Sequence, residues 1–340
     1  MGFKIVKESD ITAIADAVRS VAGGSNAYAI NEMPGAILHA TGSDIVVKMT
    51  GAEFKLTAIT ELTGAGQTSI AADALRTITA LAKVSFPNVL TVGKSAFRNL
   101  DSLVNVSLPK AATLGDSAFY GCDGLESITL PECTTIGDSA FSYCVGLETV
   151  DAPNAATIGR RAFSDCDAIA SISLPAATVI DEMAFKFCGA LQTVDVSAAN
   201  AIHEYAFDNC SSLATVDARS AESVHSWAFN SCSQLAAVNL SACKTLSHNA
   251  FDGCQRLATL ELPLCDNIYE SAFHNCSALA SLTLASPTRC RLWQDATYTF
   301  SGTPIAGGTG YVYVPGDLVD VYKADQRWSA IADQIRPIAG

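Results

Sequence analysis

The sequence predicts an α/β repeat solenoid: a parallel β-sheet along one face, with short helical or irregular segments returning the chain behind it. Three observations carry this reading. The dipeptide Ala-Phe recurs with its ring at Phe97, Phe119, Phe141, Phe163, Phe185, Phe207, Phe229, Phe251 and Phe273, and every interval is 22 residues. A fixed period in this range is the mark of stacked coils. Most copies are preceded by an L-x-x-I-x-L segment such as Leu125, Ile128 and Leu130. Finally, 49% of the 340 residues are apolar and only 16% charged, a balance that buries a core.

Each element follows from the unit LESITLPECTTIGDSAFSYCVG, which starts at Leu125. The apolar pair Ile128 and Leu130 alternates at period two, so this is a short strand with those side chains inward. Proline then stops the strand at Pro109, Pro131, Pro153, Pro175 and Pro263, because it offers no N–H to a ladder. Ile-Gly-x-x-Ala-Phe returns the chain, with Phe as the large core filler and the small Ala permitting close approach. One coil cannot bury its apolar side alone, whereas a stack buries it continuously. A degenerate copy precedes the regular ones, with Leu75 in the column of Phe97. About ten coils are expected.

This division gives three regions: a small N-terminal helical and hairpin module over 1–55, the solenoid over 56–290 and a C-terminal cap over 291–340. In the first, Ile11, Ile14, Ala15 and Val18 share a helical face, and a second helical turn falls near Met33–Leu38. Ile45, Val47 and Met49 alternate, with Phe54 and Leu56 returning as a hairpin. In the last, Pro315 and Asp317 start a helix with Leu318, Val321 and Tyr322 on one apolar face, followed by Trp328, Ile331 and Ile335.

The pattern L-x-x-I-x-L-P…I-G-x-x-A-F-x-x-C resembles the leucine-rich repeats of BspA-like surface proteins over about Ile59 to Leu284. That resemblance implies a curved solenoid with a binding or adhesive role at a bacterial surface, and no particular substrate. The stretch ITAIADAVRSVAGGSNAYAINEMPGAI is similar to short modules of phage and prophage tail-associated proteins, which implies a virion role as the alternative. It reads equally as a small N-terminal cap. The first twenty residues show no apolar core of a secretory leader. Cell-surface, extracellular, virion-associated and cytoplasmic locations all stay open on this reading.

The candidate chemistry is sparse. Cys122, Cys144, Cys166, Cys188, Cys210, Cys232, Cys254 and Cys276 form a column at the repeat period. Stacked side chains point in parallel, which disfavours disulfides, and no C-x-x-C offers converging zinc ligands. They are read as buried, unpaired core thiols. The outward strand positions are small and hydroxylated, with an acidic stripe at Asp151, Asp195, Asp217 and Glu261. Two carboxylates in one column fall short of a calcium shell. Behind the sheet, His203, His225 and Tyr269 share one column and Tyr205 and Trp227 another, so an aromatic and imidazole patch is expected there.

A net charge of −13 repels a phosphate backbone, and no apolar run is long enough to span a bilayer. Hydrolase, zincin, Walker and dinucleotide-binding signatures are absent. Equal Phe intervals leave no inserted loop for a catalytic centre. The expectation is therefore a non-enzymatic binding protein without metal or cofactor, whose partner is a protein or a glycan.

Overall fold

The computed structural model describes strands Ile37–Ala40 and Ser43–Met49 and then residues 59–339. The N-terminal helix expected around Ile11–Val18 and the phage-like stretch before Ile37 lie outside the described residues. Contacts divide the chain into two compact units. One runs up to Ala155 and includes Asp165–Ala168, and the other holds Ala156–Ser164 and everything from Ile169 onward.

In the first unit, Ile37–Ala40 pairs antiparallel with Ser43–Met49, which pairs antiparallel with Ile59–Gly64. Ile37–Ala40 is thus a strand where the sequence suggested a helical turn. The Phe54–Leu56 return expected for the Ile45–Met49 segment lies outside the described residues. Ile59–Gly64 then pairs parallel with Lys83–Ser85, which pairs parallel with Asn105–Ser107. Ser127–Thr129 and Thr149–Asp151 continue the same pattern.

The second unit repeats it. Ser171–Ser173, Thr193–Asp195, Thr215–Asp217 and Ala237–Asn239 form one parallel run. Thr259–Glu261 and Ser281–Thr283 form another, which Tyr311–Val314 and Ile335–Pro337 extend. Each three-residue strand puts its middle side chain inward, as Ile128 and Ile172 do, and leaves the flanking positions toward solvent.

A second ladder was not foreseen. Just before the Gly of each Ile-Gly step lies a two-residue strand, such as Thr113–Leu114 beside Thr135–Ile136, or Ser223–Val224 beside Thr245–Leu246. The return segment that follows is built of turns in the described coils of 22-residue spacing. Its main chain forms a third ladder. In one coil Ser95, Phe97 and Asn99 donate their N–H groups to the carbonyls of Asp116, Ala118 and Tyr120, at 2.8, 2.8 and 2.7 Å. Ser95 and Asn99 are left-handed, with φ of +53° and +57°, which turns both N–H groups toward the next coil. The same two corners recur through both units, mostly at non-glycine residues. Left-handed backbone at such residues costs on the order of 1 kcal/mol each, and the inter-coil hydrogen bonds hold it in place.

The Phe column is the core. All nine rings are fully buried, as is the Ala before each. Neighbouring rings lie nearly parallel with centroids 4.8 Å apart for Phe97 and Phe119 and 5.2 Å for Phe185 and Phe207, close to the strand repeat of about 4.8 Å. The stack continues beyond the regular repeats: Phe300 lies 5.5 Å from Phe273, and Trp328 lies 6.0 Å from Phe300. Phe300 follows Phe273 by 27 residues, so this final coil does carry an insertion.

The C-terminal segment closes that core with little helix. Helix α1 (Ala296–Thr299) is capped by the Asp295 carboxylate, which accepts from the Thr297 N–H, and helix α2 (Val319–Ala324) follows. Tyr322 and Trp328 are fully buried. The Tyr322 hydroxyl accepts from the Cys290 N–H at 2.7 Å, and the Trp328 indole donates to the Cys290 carbonyl at 3.0 Å. Val321, expected on the apolar face, is instead exposed, and Ile335 sits in a strand rather than a helix.

Removing a ring from the middle of the stack leaves a cavity that rigid neighbouring coils cannot fill. Phe207→Ala is expected to lower unfolding stability by about 3–5 kcal/mol, read as a lower denaturant midpoint.

Candidate functional site

All twelve cysteines are free and buried. The main column has a specific role. Cys210 Sγ donates to the Phe185 carbonyl of the preceding coil at 3.0 Å, while that carbonyl also accepts the Cys188 N–H of its own coil at 3.2 Å. The other seven thiols of the column make the same contact at 3.0–3.1 Å. Cys133, Cys243 and Cys265 each donate to a backbone carbonyl two residues on, at 3.4–3.5 Å. Burial pushes the Cys133 thiol up to about 11, Cys122 and Cys243 up to about 12, and Cys210 well above its usual range. These thiols are held protonated, and a thiol rather than a thiolate is a poor nucleophile. Iodoacetamide is expected to modify none of the twelve in the native protein and all twelve after unfolding without reductant, counted by intact mass.

The acidic stripe on the three-residue strands is not a continuous negative surface. Asp195 and Asp217 sit opposite each other on paired strands. Asp195 accepts from the Ser197 N–H at 3.1 Å and from the Ser173 hydroxyl at 3.4 Å. Asp217 is gripped by the Arg219 guanidinium, whose Nε lies 3.0 and 3.1 Å from its two oxygens. That hydrogen bond holds the Asp217 carboxyl below its ordinary value. Glu261 is exposed beyond the neutral Asn239, and Asp151 belongs to the other unit. Among the described residues, no group of three or more His, Cys, Asp or Glu is placed to hold a metal.

The sequence reading missed a patch at the end of this face. Tyr311 and Tyr313 stand in register with Ser281 and Thr283, and the Arg336 guanidinium lies 4.8 Å from the Tyr311 ring. Both tyrosines fall outside the repeat period, so column counting could not reach them.

The return segments carry the ring-bearing residues, and a backbone constraint sets where. Gly93, Gly115 and Gly137 follow the two-residue strands of the first unit. A Cβ on any of them would lie 2.5–2.8 Å from main-chain atoms of the preceding coil. The corresponding column of the second unit begins with Gly159 and then runs Asp181, His203, His225, Ser247, Tyr269 and Trp293, so from Asp181 onward the backbone does admit side chains. His203 and His225 stack with centroids 4.9 Å apart and planes within 10°. At the left-handed corner two residues on, Tyr205 and Trp227 lie parallel at 6.2 Å. The Lys186 ammonium caps the Tyr205 ring at 4.9 Å and pairs with the buried Asp208 carboxylate at 2.8 Å.

Tyr269 does not join the histidine pair. It stacks on Trp293 at 4.8 Å, takes an edge contact from His248 at 5.2 Å, and Trp293 is in turn covered by the Arg291 guanidinium at 4.0 Å. Trp293 was missed because it follows Tyr269 by 24 residues, inside the inserted coil.

His225 is held below its ordinary value of 6.5, first by burial and then by the facing His203 ring, with Glu204 acting weakly the other way. A lowered histidine takes its proton later in the fold than in the unfolded chain. Its contribution to stability is therefore intact above about pH 6.5 and is lost as pH falls below it. The thermal midpoint is expected to drop between pH 7 and pH 5, and His225→Asn is expected to reduce that drop.

Stacked parallel ladders, a one-per-coil Phe and a period of 22 residues define a leucine-rich-repeat solenoid. The family profile described as BspA type leucine rich repeat region matches residues 68–192 and 156–280. The chain belongs to this family. It is similar in fold to a leucine-rich repeat protein from Bacteroides ovatus, with 20% identity over 87% of this chain and 98% of that one and a TM-score of 0.37. A leucine rich cell surface protein from Faecalibacterium prausnitzii is 18% identical over 91% and 99%, with a TM-score of 0.41. The T. pallidum leucine rich repeat protein is 17% identical over 65% and 90%, with a TM-score of 0.37. No curated protein matches the chain. Neither the family nor these structures support the resemblance to phage tail proteins. No helix among the described residues is long and apolar enough to cross a membrane.

Proposed function

We propose that the chain is a non-enzymatic binding or adhesion module of a bacterial surface or secreted protein, and that it contacts a protein or glycan through the ring-bearing return segments of its second unit. Membership of the BspA-type family supports the binding role. One observation carries the choice of surface. Gly93, Gly115, Gly137 and Gly159 occupy the column that His203, His225, Tyr269 and Trp293 occupy in later coils. Glycine satisfies the fold there, so the rings do not serve the core. Partly exposed Tyr and Trp side chains are the residues that anchor interfaces, and Tyr205, Trp227 and Trp293 all keep part of their surface in solvent. The Asp217–Arg219 pairing argues against the acidic stripe as the principal contact, because its charge is already spent locally.

The test is a screen of the full chain against immobilised glycans and host matrix proteins, beside Trp227→Ser and Asp151→Asn. Trp227→Ser is expected to weaken retention at least tenfold and Asp151→Asn to leave it unchanged. Equal retention of both variants would refute the assignment of the surface.

A further inference from the structure

Cys290 breaks the pattern of the other cysteines. Cys243 and Cys265 each stand two residues before a two-residue strand, Thr245–Leu246 and Asn267–Ile268, and share one column at the repeat period. Cys290 stands one residue before the next strand of that ladder, Arg291–Leu292, which pairs in register with Asn267–Ile268. It follows Cys265 by 25 residues, so it meets the Cys265 side chain from an offset position instead of joining its column. Its thiol points at Cys265 Sγ, with the sulfurs 3.8 Å apart and both residues fully buried. The thiols of the main column are aimed elsewhere, at the Phe carbonyl of the preceding coil.

We propose that Cys265 and Cys290 are an oxidation site, closed by a disulfide oxidant into a disulfide that locks the C-terminal cap onto the last regular coil. A disulfide is about 2.05 Å long, so sulfurs already in contact need about 1.8 Å of further approach. The position of Cys290 gives the bond its effect. Its N–H is held by the Tyr322 hydroxyl and its carbonyl by the Trp328 indole. On its two sides, the Arg289 guanidinium pairs with Asp325 at 2.6 Å and the Arg327 guanidinium donates to the Leu292 carbonyl. The cap therefore grips the repeats at this one short segment, and a bond from Cys290 to Cys265 makes that grip covalent.

The chemistry is thiol–disulfide exchange. The thiolate of one cysteine attacks the oxidant's disulfide, expels one thiol and leaves a mixed disulfide. The second cysteine gives up its proton and attacks the protein sulfur of that mixed disulfide, expelling the second thiol. Two protein thiols lose two protons and two electrons, and the oxidant leaves as two thiols. The contact with Cys290 and burial together hold the Cys265 thiol well above its usual range, so the exchange belongs to the open cap, during folding or local opening.

The experiment is refolding of the reduced full chain from urea, once with oxidised glutathione and once with reduced glutathione alone. Each product is unfolded without reductant, alkylated with iodoacetamide and weighed. The reduced product is expected to take twelve groups and the oxidised product ten, two of its twelve cysteines being joined. Sequencing of the cross-linked peptides by mass spectrometry is expected to place the bond at Cys265 and Cys290. The thermal midpoint of the oxidised product is expected to lie at least about 5 °C above that of the reduced one, and dithiothreitol is expected to reverse the difference. Cys290→Ala is expected to lose both the cross-link and the midpoint difference, and Cys265→Ala serves if that variant does not fold. Twelve groups on the oxidised product, a bond between column members such as Cys254 and Cys276 in its place, or a Cys265–Cys290 bond with no rise in midpoint overturns the proposal.

Discussion

Everything in this molecule depends on where the backbone N–H groups find their acceptors. In each coil many of them point out of the coil and bond to the next one along, in the three-residue ladder, the two-residue ladder and the turn-built ladder. Buried peptide groups left without partners are costly, so no coil is stable by itself. The same rule limits where the period can change. A residue added within a ladder turns inward side chains outward, whereas the final coil absorbs its extra residues outside the ladders and Arg291–Leu292 still pairs in register with Asn267–Ile268. The thiol of the cysteine column meets the same demand, because it supplies a second donor to a carbonyl that one amide only partly satisfies.

Much of the scaffold was legible from residue spacing. Phe period, inward Ile and Leu, outward hydroxyls and the buried thiols all stand where column counting puts them, because each depends only on position within the repeat. What escaped depends on geometry between columns or beyond the repeat. The left-handed corners were hidden because Ser, Asn, Tyr and Trp fill them in place of the expected glycine. Arg219 neutralises Asp217 from two residues away in another column, which no single-column reading reveals. Trp293 and Phe300 lie past a change of spacing, yet they complete the ring file and the core stack. Val321 fits a helical face, but helix α2 is too short to bury it.

The contrast between glycine-bearing and ring-bearing coils shows how a surface is made without disturbing a core. Where Gly93, Gly115 and Gly137 stand, the main chains approach too closely for a side chain. Where histidine and aromatic residues replace glycine, the same hydrogen bonds to the preceding coil persist, as in the 2.8 Å bond from His225 to Ile202 and the 2.9 Å bond from Tyr269 to Leu246. The hydrogen-bonded frame and the decoration are therefore separate, and the frame tolerates both versions.

The left-handed corners have a consequence for how such a chain diversifies. One corner of the coil accepts Ser95, Arg161, Met183, Tyr205 and Trp227 with φ between +53° and +62°, so a small hydroxyl, a cation, a thioether and an indole are interchangeable on one backbone. A substitution there changes what the outside world meets and leaves the Phe column untouched. Each coil thus offers an addressable site at a fixed spacing, and duplication of a 22-residue block adds another without altering those already present. New recognition can be assembled by copying coils and exchanging corner residues, with selection acting on the display and the scaffold held constant.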